Sequence, residues 1–295
     1  MRSRSRFWFR FGFLAPACLL YGILVLIPLV QSFQLSTFRL SGLSDRREFV
    51  GFDNFIGIFK NGTLAQALQH NAFLLVGAVS LILVFGYLAA LAAGGAGRMA
   101  AFLRNVYLFP HVISLVVVAI LWQALYNPQF GLFSSVLRAG QIEPPVWLND
   151  SRTALPSVLI AFVWYVLGFS IMVLQAGLKG ISPDVHEAAE LDGAVGARRF
   201  WNIQWPLTWS TRRIVVIHTC IGAMNTFALV RLMTNGGPDR ATEVALTYLY
   251  ERGFQPNSFF GEATAIAVIN FIAVLLISGL VMVIFGRNPV EARTR

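Results

Sequence analysis

Polar side chains that lie within the apolar runs of this chain are suited to hydrogen bonding rather than to covalent chemistry. His218 and Asn225 are seven residues apart with Gly222 between them, so the three residues share one face of a helix. Asn270 lies in a later apolar run. An imidazole and two amides can donate and accept hydrogen bonds, and we predict that they line a polar pathway. The alternative is hydrogen bonding between packed helices, which amide residues also serve in membranes.

Other polar residues of the apolar runs narrow the chemistry further. His111 and Ser114 are additional hydrogen-bonding residues in another run. No Asp or Glu lies in the middle of a run, since Glu262 stands at an edge, and proton-coupled transport usually needs such carboxylates. Arg231 is close enough to the end of its run for its charge to reach the membrane interface. These features disfavour a simple proton antiporter.

A charged, amphipathic segment runs from Ser182 to Pro206 between two apolar runs. Ser182 predicts an N-cap, and Pro183 suits the first helical position because its missing N–H would have no partner there. Gly193 predicts the end of this helix in the left-handed conformation, and a second short helix is expected before Pro206. We predict a docking element. The alternative is a helix that lies passively on the membrane surface.

Motifs for nucleotide, metal and acyl-transfer chemistry are absent from the sequence. It contains no G-x-x-x-x-G-K-S/T loop, no His-Glu-x-x-His, no Cys-x-x-Cys and no Gly-x-Ser-x-Gly. Cys18 and Cys220 both fall in apolar runs and predict neither a disulfide nor a reactive thiol. We therefore predict no catalytic residue, no metal site and no cofactor bound by this chain.

The elements that must position these residues are apolar helices. The chain is 56% hydrophobic and 13% charged, with a mean hydropathy of +0.65. A soluble domain would carry roughly twice this charged fraction. Six runs of about 20 residues are each long enough to cross a bilayer, so we predict an all-α polytopic membrane protein with six transmembrane helices. The predicted spans are Phe11–Phe33, Ala72–Ala93, Asn105–Leu125, Leu155–Gly177, Arg213–Met233 and Glu262–Phe285.

The net charge of +9 is explained by membrane topology rather than by nucleic acid. If the N-terminus is cytoplasmic, 14 of the 23 Lys and Arg lie in or at the edge of the inside segments, and eight lie in the longer outside segments. We therefore predict cytoplasmic termini and no nucleic-acid partner. The predicted regions are a basic N-terminus at 1–10, a six-helix transmembrane domain at 11–285 with an inside loop at 178–212, and a tail at 286–295.

The inside loop carries a recognisable spacing of residues. Glu187-Ala188-Ala189 is followed by three residues and Gly193, and nine further residues lead to Ile203-Gln204-Trp205-Pro206. This pattern resembles the EAA signature of the inner-membrane permease subunits of binding-protein-dependent ABC importers, with Trp205 where the signature has Leu. The run Asn235-Gly236-Gly237-Pro238 resembles the first subunit of carbohydrate permeases, such as the maltose and glycerol-phosphate permeases.

The resemblance implies a role for each residue of the signature. In such importers the EAA loop docks on a cytoplasmic ATPase subunit, so Glu187 is the expected polar contact with the ATPase. Ala188 and Ala189 would allow close approach, and Gly193 would set the bend between two short helices. Asp192 is expected at the rim of this contact, together with Arg198 and Arg199.

The resemblance also implies a type I ABC importer permease fold and a set of partners. These are an ABC ATPase dimer that uses ATP, a second permease subunit, an extracytoplasmic solute-binding protein and the lipid of a bacterial inner membrane. The expected solute is a sugar or a sugar-like molecule. A glycerol-phosphate solute is the alternative within this family, with Arg231 as its cationic candidate. A secondary transporter that acts without ATP and a membrane scaffold are the alternatives from other classes.

Overall fold

The computed structural model describes residues 2–40, 47–93, 98–255 and 258–286, and it describes no side chains for residues 2–11 and 99–105. Of the predicted cytoplasmic tail, residues 287–295 therefore lie outside the described residues, as do Met1 and residues 94–97 of a predicted inside segment. Strands β1 (Phe38–Arg39) and β2 (Glu48–Phe49) pair antiparallel, with Phe38 opposite Phe49. The rest of the regular structure in the described residues is helical.

Fifteen α-helices are found in the described residues. In chain order they are α1 (Arg2–Tyr21), α2 (Ile27–Leu35), α3 (Asp53–Lys60), α4 (Thr63–Ala92), α5 (Arg98–Val112), α6 (Leu115–Leu125), α7 (Leu132–Ala139), α8 (Ala154–Lys179), α9 (Pro183–Leu191), α10 (Gly196–Arg199), α11 (Trp205–Leu207), α12 (Trp209–Met224), α13 (Phe227–Met233), α14 (Ala245–Phe254) and α15 (Phe260–Ile284). Two π-helical turns, Gly22–Leu26 and Phe200–Gln204, join α1 to α2 and α10 to α11.

Four stretches of the described chain are long and apolar enough, by length and composition, to cross a membrane as single helices. They are Gly12–Leu35, Thr63–Ala92, Ala154–Lys179 and Phe260–Ile284. Two helix pairs satisfy the same criterion together, and counting each pair as one span gives up to six spans. The prediction of a helical, polytopic membrane protein is confirmed.

Two of the predicted spans are bent, which their apolar sequences do not reveal. Val106–Val112 and Leu115–Leu125 meet at 116°, so the predicted single span Asn105–Leu125 is wrong as a continuous helix. The cause is Ser114, whose extended conformation (φ −57°, ψ 136°) interrupts the helical hydrogen bonds. The other bend, 46° between Trp209–Met224 and Phe227–Met233, divides the predicted span Arg213–Met233.

The chain divides into two compact units, of which unit 1 comprises Met1–Leu64 and Tyr248–Phe271. Within unit 1, the buried Asn54 side chain donates hydrogen bonds to the carbonyls of Ser36 (2.8 Å) and Phe38 (2.9 Å). A Cβ atom at Gly261 would overlap the Phe38 carbonyl, so a glycine is required there. These contacts fix the loop before β1 against the start of α15.

Unit 2 comprises Ala65–Thr247 and Ile272–Arg295, and α8 is at its centre. Helices α5, α6, α12 and α13 all pack against α8. The α8–α12 contact is close at Gly222, where an added Cβ would lie 3.1 Å from the ring of Phe162. The core of unit 2 is apolar, and residues such as Val158, Ala161 and Val166 of α8 are buried in it. The end of α8 leads into the segment Ser182–Pro206, which we call the coupling loop, and α12, which carries the predicted pathway residue His218, packs against α8.

Candidate functional site

The predicted docking element is formed by α9 and α10, which leave the end of α8. Ser182 is extended (φ −62°, ψ 148°) and Pro183 is the first helical residue, as the sequence predicts. The Ser182 hydroxyl makes no capping hydrogen bond, however, so only its position as N-cap is confirmed. Asp184 lies in the first turn of α9, where a carboxylate favours the positive end of the helix dipole.

Helix α9 ends in a Schellman motif centred on Gly193. The φ angle of Gly193 is +69°, the N–H of Ala194 donates to the Ala189 carbonyl (2.8 Å), and the N–H of Gly193 donates to the Glu190 carbonyl (3.0 Å). Ala189 and Ala194 are both buried, which supplies the apolar contact that accompanies this motif. The predicted left-handed stop at Gly193 is confirmed, and it sets the bend between α9 and α10.

The signature residues divide into an exposed face and a buried face. Glu187, Ala188 and Asp192 are exposed, whereas Ala189 is only 4% exposed. The expectation that both alanines offer close approach to a partner is therefore corrected at Ala189, because its methyl group packs inside the subunit. The carbonyl of Ala189 is also the acceptor for the N–H of Ala194 in the Schellman motif.

Two apolar side chains of the loop were missed by the sequence reasoning. Leu191 is 90% exposed at the last position of α9, and Val195 is 63% exposed just beyond the turn at Gly193. The available signal was their apolar character in an otherwise charged segment, on either side of the predicted helix stop. Exposed apolar residues beside exposed charges are typical of a protein–protein contact.

An ion pair joins the two short helices of the loop. The Arg199 guanidinium lies 2.9 Å from the Glu190 carboxylate, and both side chains are partly exposed. Such a pair contributes at most about 1 kcal/mol, so its effect is to orient α10 rather than to stabilise it strongly. Arg199 is therefore engaged within the chain, whereas Arg198 and Asp192 are exposed, which fits a rim contact and a solvated surface charge equally.

The predicted pathway residue His218 belongs to an aromatic cluster formed by three helices. Its ring lies 4.4 Å from that of Phe169 on α8 and 5.9 Å from that of His111 on α5. His111 stacks on Phe169 at 5.3 Å, and its Nδ1 lies 3.3 Å from the carbonyl oxygen of Tyr165. The buried Nδ1 of His218 has no hydrogen-bond partner among the described residues. The cluster therefore retains hydrogen-bonding capacity next to aromatic faces.

His218 and Gly222 of α12 both face α8, where His218 lies next to Phe169. Gly222 packs against Phe162, and Asn225 lies beyond the end of α12, where its Nδ2 donates to the Ile221 carbonyl at 2.8 Å. The N–H of Asn225 still donates to the Ile221 carbonyl at 3.1 Å, as in a helix, so the predicted common face is compatible with the structure, and its role as a pathway stays a prediction. Asn225 is nevertheless exposed at the bend between α12 and α13.

Asn270 belongs to unit 1 and is described within that unit. It is 6% exposed, and its Oδ1 has no hydrogen-bond partner among the described residues. A buried amide oxygen is costly without a partner, so this atom is available to a solute or to another subunit. Its role remains a prediction.

A second polar region of unit 2, which sequence reasoning missed, lies where α6 ends. A cavity of about 250 Å³ is lined by polar and apolar residues that include Gln123, Tyr126 and Asn127. The Gln123 amide donates to the Leu232 carbonyl at 2.7 Å, which ties α6 to α13. Burial raises the pKa of Tyr126, so its hydroxyl stays protonated and donates to the Ser157 carbonyl at 3.2 Å. The sequence signal that could have indicated this region was the group of polar residues that follows an apolar run.

Solved structures with the same arrangement of helices define the class of fold. The crystal structure of a bacterial alginate ABC transporter in complex with an alginate pentasaccharide-bound periplasmic protein contains a chain that matches with a TM-score of 0.82. The match is 21% identical in sequence and covers 95% of this chain and 94% of that one. A second structure of an alginate importer matches at 0.81, with 22% identity and 98% of each chain covered. The fold is that of an ABC importer permease.

The sequence itself matches a family over residues 82–288, and the chain belongs to this family, the inner membrane components of binding-protein-dependent transport systems. A probable ABC transporter permease protein of Bacillus subtilis, YurN, is 34% identical, with 95% of this chain and 96% of YurN covered. The diacetylchitobiose uptake system permease protein NgcF of Streptomyces coelicolor is 32% identical, with 95% and 83% covered. The glycerol-3-phosphate permease protein UgpA of Agrobacterium fabrum is 30% identical, with 90% of each covered.

These matches confirm the class that the EAA spacing indicated. The chain is a multi-pass permease subunit of an ABC importer, and the family it belongs to acts together with a binding protein.

Proposed function

We propose that this chain forms one half of a heterodimeric pore through which a sugar or sugar-like solute crosses the bacterial inner membrane. Two relatives are permeases for diacetylchitobiose and for glycerol 3-phosphate, and the closely similar folds belong to alginate importers. All three solutes carry several hydroxyl groups. A solute-binding protein would deliver the solute to the extracytoplasmic side, and both termini would be cytoplasmic.

The observation that carries the proposal is the geometry of the coupling loop. Glu187, Ala188 and Leu191 are exposed on α9, and the Schellman motif at Gly193 fixes the direction in which α10 leaves. This combination of one carboxylate, one small residue and one large apolar residue suits a cleft on an ABC ATPase dimer. The ATPase would supply all ATP binding and hydrolysis, since this chain has no P-loop sequence of its own.

The pathway for the solute would pass the cluster of His111, Phe169 and His218. Aromatic faces offer apolar area for the C–H groups of a sugar ring, and the free imidazole Nδ1 of His218 offers a hydrogen bond to a hydroxyl. Asn225 would add its exposed amide at the bend after α12. Asn270 would contribute its unpartnered Oδ1.

Glycerol 3-phosphate is the second candidate, favoured by the likeness to UgpA. A phosphate group calls for a cation, and Arg231 lies in the last turn of α13. Its guanidinium is hydrogen-bonded to the side chain of Asn235, so it is already engaged within the chain. The cluster of His111, Phe169 and His218, which we call the histidine cluster, offers aromatic faces and a hydrogen-bonding imidazole, and these suit the ring and the hydroxyl groups of a sugar.

The proposal is tested by purifying the tagged chain gently from its own membrane and identifying what co-purifies. We expect an ATPase and a second permease subunit with its own EAA loop. The complex in vesicles should take up labelled diacetylchitobiose or another sugar with the binding protein and ATP. Recovery of the chain alone, with uptake intact in vesicles without ATP, would overturn the proposal in favour of a secondary transporter.

Replacing Leu191 by Asp is expected to weaken binding of the ATPase. The substitution places a charge at a 90% exposed apolar position next to the signature, and a central contact of this type is worth about 2 kcal/mol, or roughly thirtyfold in affinity. The yield of co-purified ATPase per permease measures the effect. Ile142→Asp is the matched control, because Ile142 is also exposed (57%) but lies in the loop after α7. Equal loss of ATPase in both variants would contradict the docking assignment.

Replacing His218 by Leu is expected to raise the KM for the solute about tenfold, since one hydrogen bond to a buried imidazole is lost and the volume is roughly kept. ATPase co-purification should not change. Asn225→Leu should act in the same direction, because its amide lies exposed at the bend. Concentration-dependent uptake by the reconstituted complex provides the measurement. Unchanged KM values for every transported solute would remove both residues from the pathway.

A further inference from the structure

An arginine is buried at the root of the coupling loop. Arg212, in the first turn of α12, is only 2% exposed and has the largest side chain among the fully buried residues of the described chain. A guanidinium stays charged in proteins, and a charged residue is rarely buried without a partner. The ion pairs found in the described residues do not include Arg212. A buried cation inside a membrane span needs a functional explanation.

The charge of Arg212 is compensated by aromatic rings and a carbonyl group. Its guanidinium carbon lies 3.7 Å from the ring centroid of Trp205, 5.0 Å from that of Trp209 and 5.9 Å from that of Phe285. Its Nη1 also donates a hydrogen bond of 2.9 Å to the Trp205 carbonyl. The electron-rich faces of the rings attract the cation, most strongly where water is excluded. We call these four residues the arginine box.

The arginine box connects the coupling loop to several spans of unit 2. Trp205 follows the π-helical turn that ends the loop, and its ring lies 5.3 Å from that of Tyr87 on α4. Trp209 packs on Phe285, directly after α15, with 4.4 Å between the rings, and its Nε1 donates to the Phe285 carbonyl at 2.9 Å. The end of the loop is therefore attached to α4, α12 and the end of α15 around one cation.

Trp205 is also the position where this chain departs from the EAA signature, which has leucine there. A leucine side chain has no π face, so it cannot compensate a buried cation for the hydration that the cation loses. Trp205 contributes both a ring face and a carbonyl to Arg212, so the aromatic residue at this position helps to account for the burial of the cation.

We propose that Arg212 is a positioning residue, which holds the end of the coupling loop rigidly to the spans so that a movement of the loop is passed to the pore. The inference rests on the proposed function, because it assumes that an ATPase moves the loop. In wild-type chains the loop and α4 would move as one body. Without the cation, the loop would move independently of α4.

The experiment measures the distance between the loop and α4 in the purified complex. Nitroxide labels are attached to Ala197→Cys on α10 and Leu88→Cys on α4, two exposed positions, after Cys18 and Cys220 are replaced by Ala. Distances are recorded without nucleotide and after trapping with MgATP and vanadate. We expect a narrow distribution that trapping does not change. Arg212→Met should widen it about twofold, because a desolvated cation–π contact is lost, and trapping should then shift it.

Two further variants separate the inference from a general loss of folding. Arg213→Met removes the neighbouring charge, which lies outside the arginine box, and should leave the distribution narrow. Arg212→Lys keeps the cation and should restore part of the narrow distribution. If Arg212→Met does not insert, Arg212→Lys and Trp205→Leu replace it, and both should widen the distribution to an intermediate degree.

Failure of the inference and failure of the proposed function give different results. A distribution that stays narrow and unshifted in every Arg212 and Trp205 variant that assembles overturns the role of Arg212. MgATP hydrolysis by the same complexes is measured in parallel. A wild-type complex that neither hydrolyses ATP nor contains an ATPase contradicts the proposed function, whereas the widths without nucleotide still report on the arginine box.

Discussion

Replacing Gly193 by Val is expected to abolish most ATP-driven uptake while the chain still inserts in the membrane. The φ angle of Gly193 is +69°, a conformation that costs an L-residue about 1–2 kcal/mol and a β-branched residue more. The Schellman hydrogen bonds from Ala194 and Gly193 would then be lost, and α10 would leave α9 in another direction. A strain of this size lowers the fraction of chains with the native turn by about tenfold. We expect uptake by the reconstituted complex to fall by at least about the same factor.

Two variants control for this result. Gly193→Asn should keep most of the uptake, because asparagine tolerates the left-handed conformation at a helix end. Gly62→Val imposes the same backbone strain (φ +71°) at another open position, outside the coupling loop, and should keep uptake as well. If Gly193→Val retained full uptake, or if Gly62→Val lost as much, the turn would not be the element that couples this chain to its ATPase.

The left-handed conformation of Gly193 shows what the sequence alone can predict about such a loop. A left-handed position next to a helix end strongly favours glycine, so the residue type alone predicted the turn. The inward orientation of Ala189 was not predictable in this way, because Ala188 and Ala189 are chemically identical. The difference appears only in the structure, where Ala189 is buried at the turn with Ala194 and Ala188 is exposed.

Hydropathy located the spans but not their bends. The long spans α4 and α8 were predicted from uninterrupted apolar runs, and their cores agree with the structure. The break at Ser114 depends on one extended residue, and the break after Met224 depends on side chains that satisfy the freed carbonyls. There the Ala223 carbonyl accepts hydrogen bonds from the Thr226 hydroxyl and from the Asn71 amide. Such local hydrogen bonds leave no trace in an apolar pattern.

The histidine cluster and the arginine box needed the tertiary structure. His111 and His218 were both recognised as polar residues of apolar runs, but their proximity arises because α5 and α12 pack on the same helix, α8. Arg212 was counted among the charges of the inside loop, since a sequence cannot show that a cation next to two tryptophans is buried beneath them. Both sites join residues that are distant along the chain.

The second large effect is expected at Gly168, where Ala should destabilise unit 2. A Cβ atom at this position would overlap the carbonyl oxygen of Tyr107 and lie 2.9 Å from its carbon. Because the obstacle is backbone, α5 must move away from α8, at a cost of about 3 kcal/mol. We expect the unfolding temperature in detergent to fall by at least about 5 °C.

The same displacement has a functional consequence, because the helices that Gly168 brings together carry two residues of the histidine cluster. His111 lies on α5 and stacks on Phe169, the residue after Gly168, at 5.3 Å. Gly168→Ala should therefore raise the KM for the solute together with the loss of stability. Gly279→Ala in α15 is the matched control, since nothing lies within 4 Å of the added Cβ and the helix propensity of alanine is higher by about 1 kcal/mol. If Gly168→Ala unfolded at the same temperature as Gly279→Ala, the close approach of α5 and α8 would be refuted.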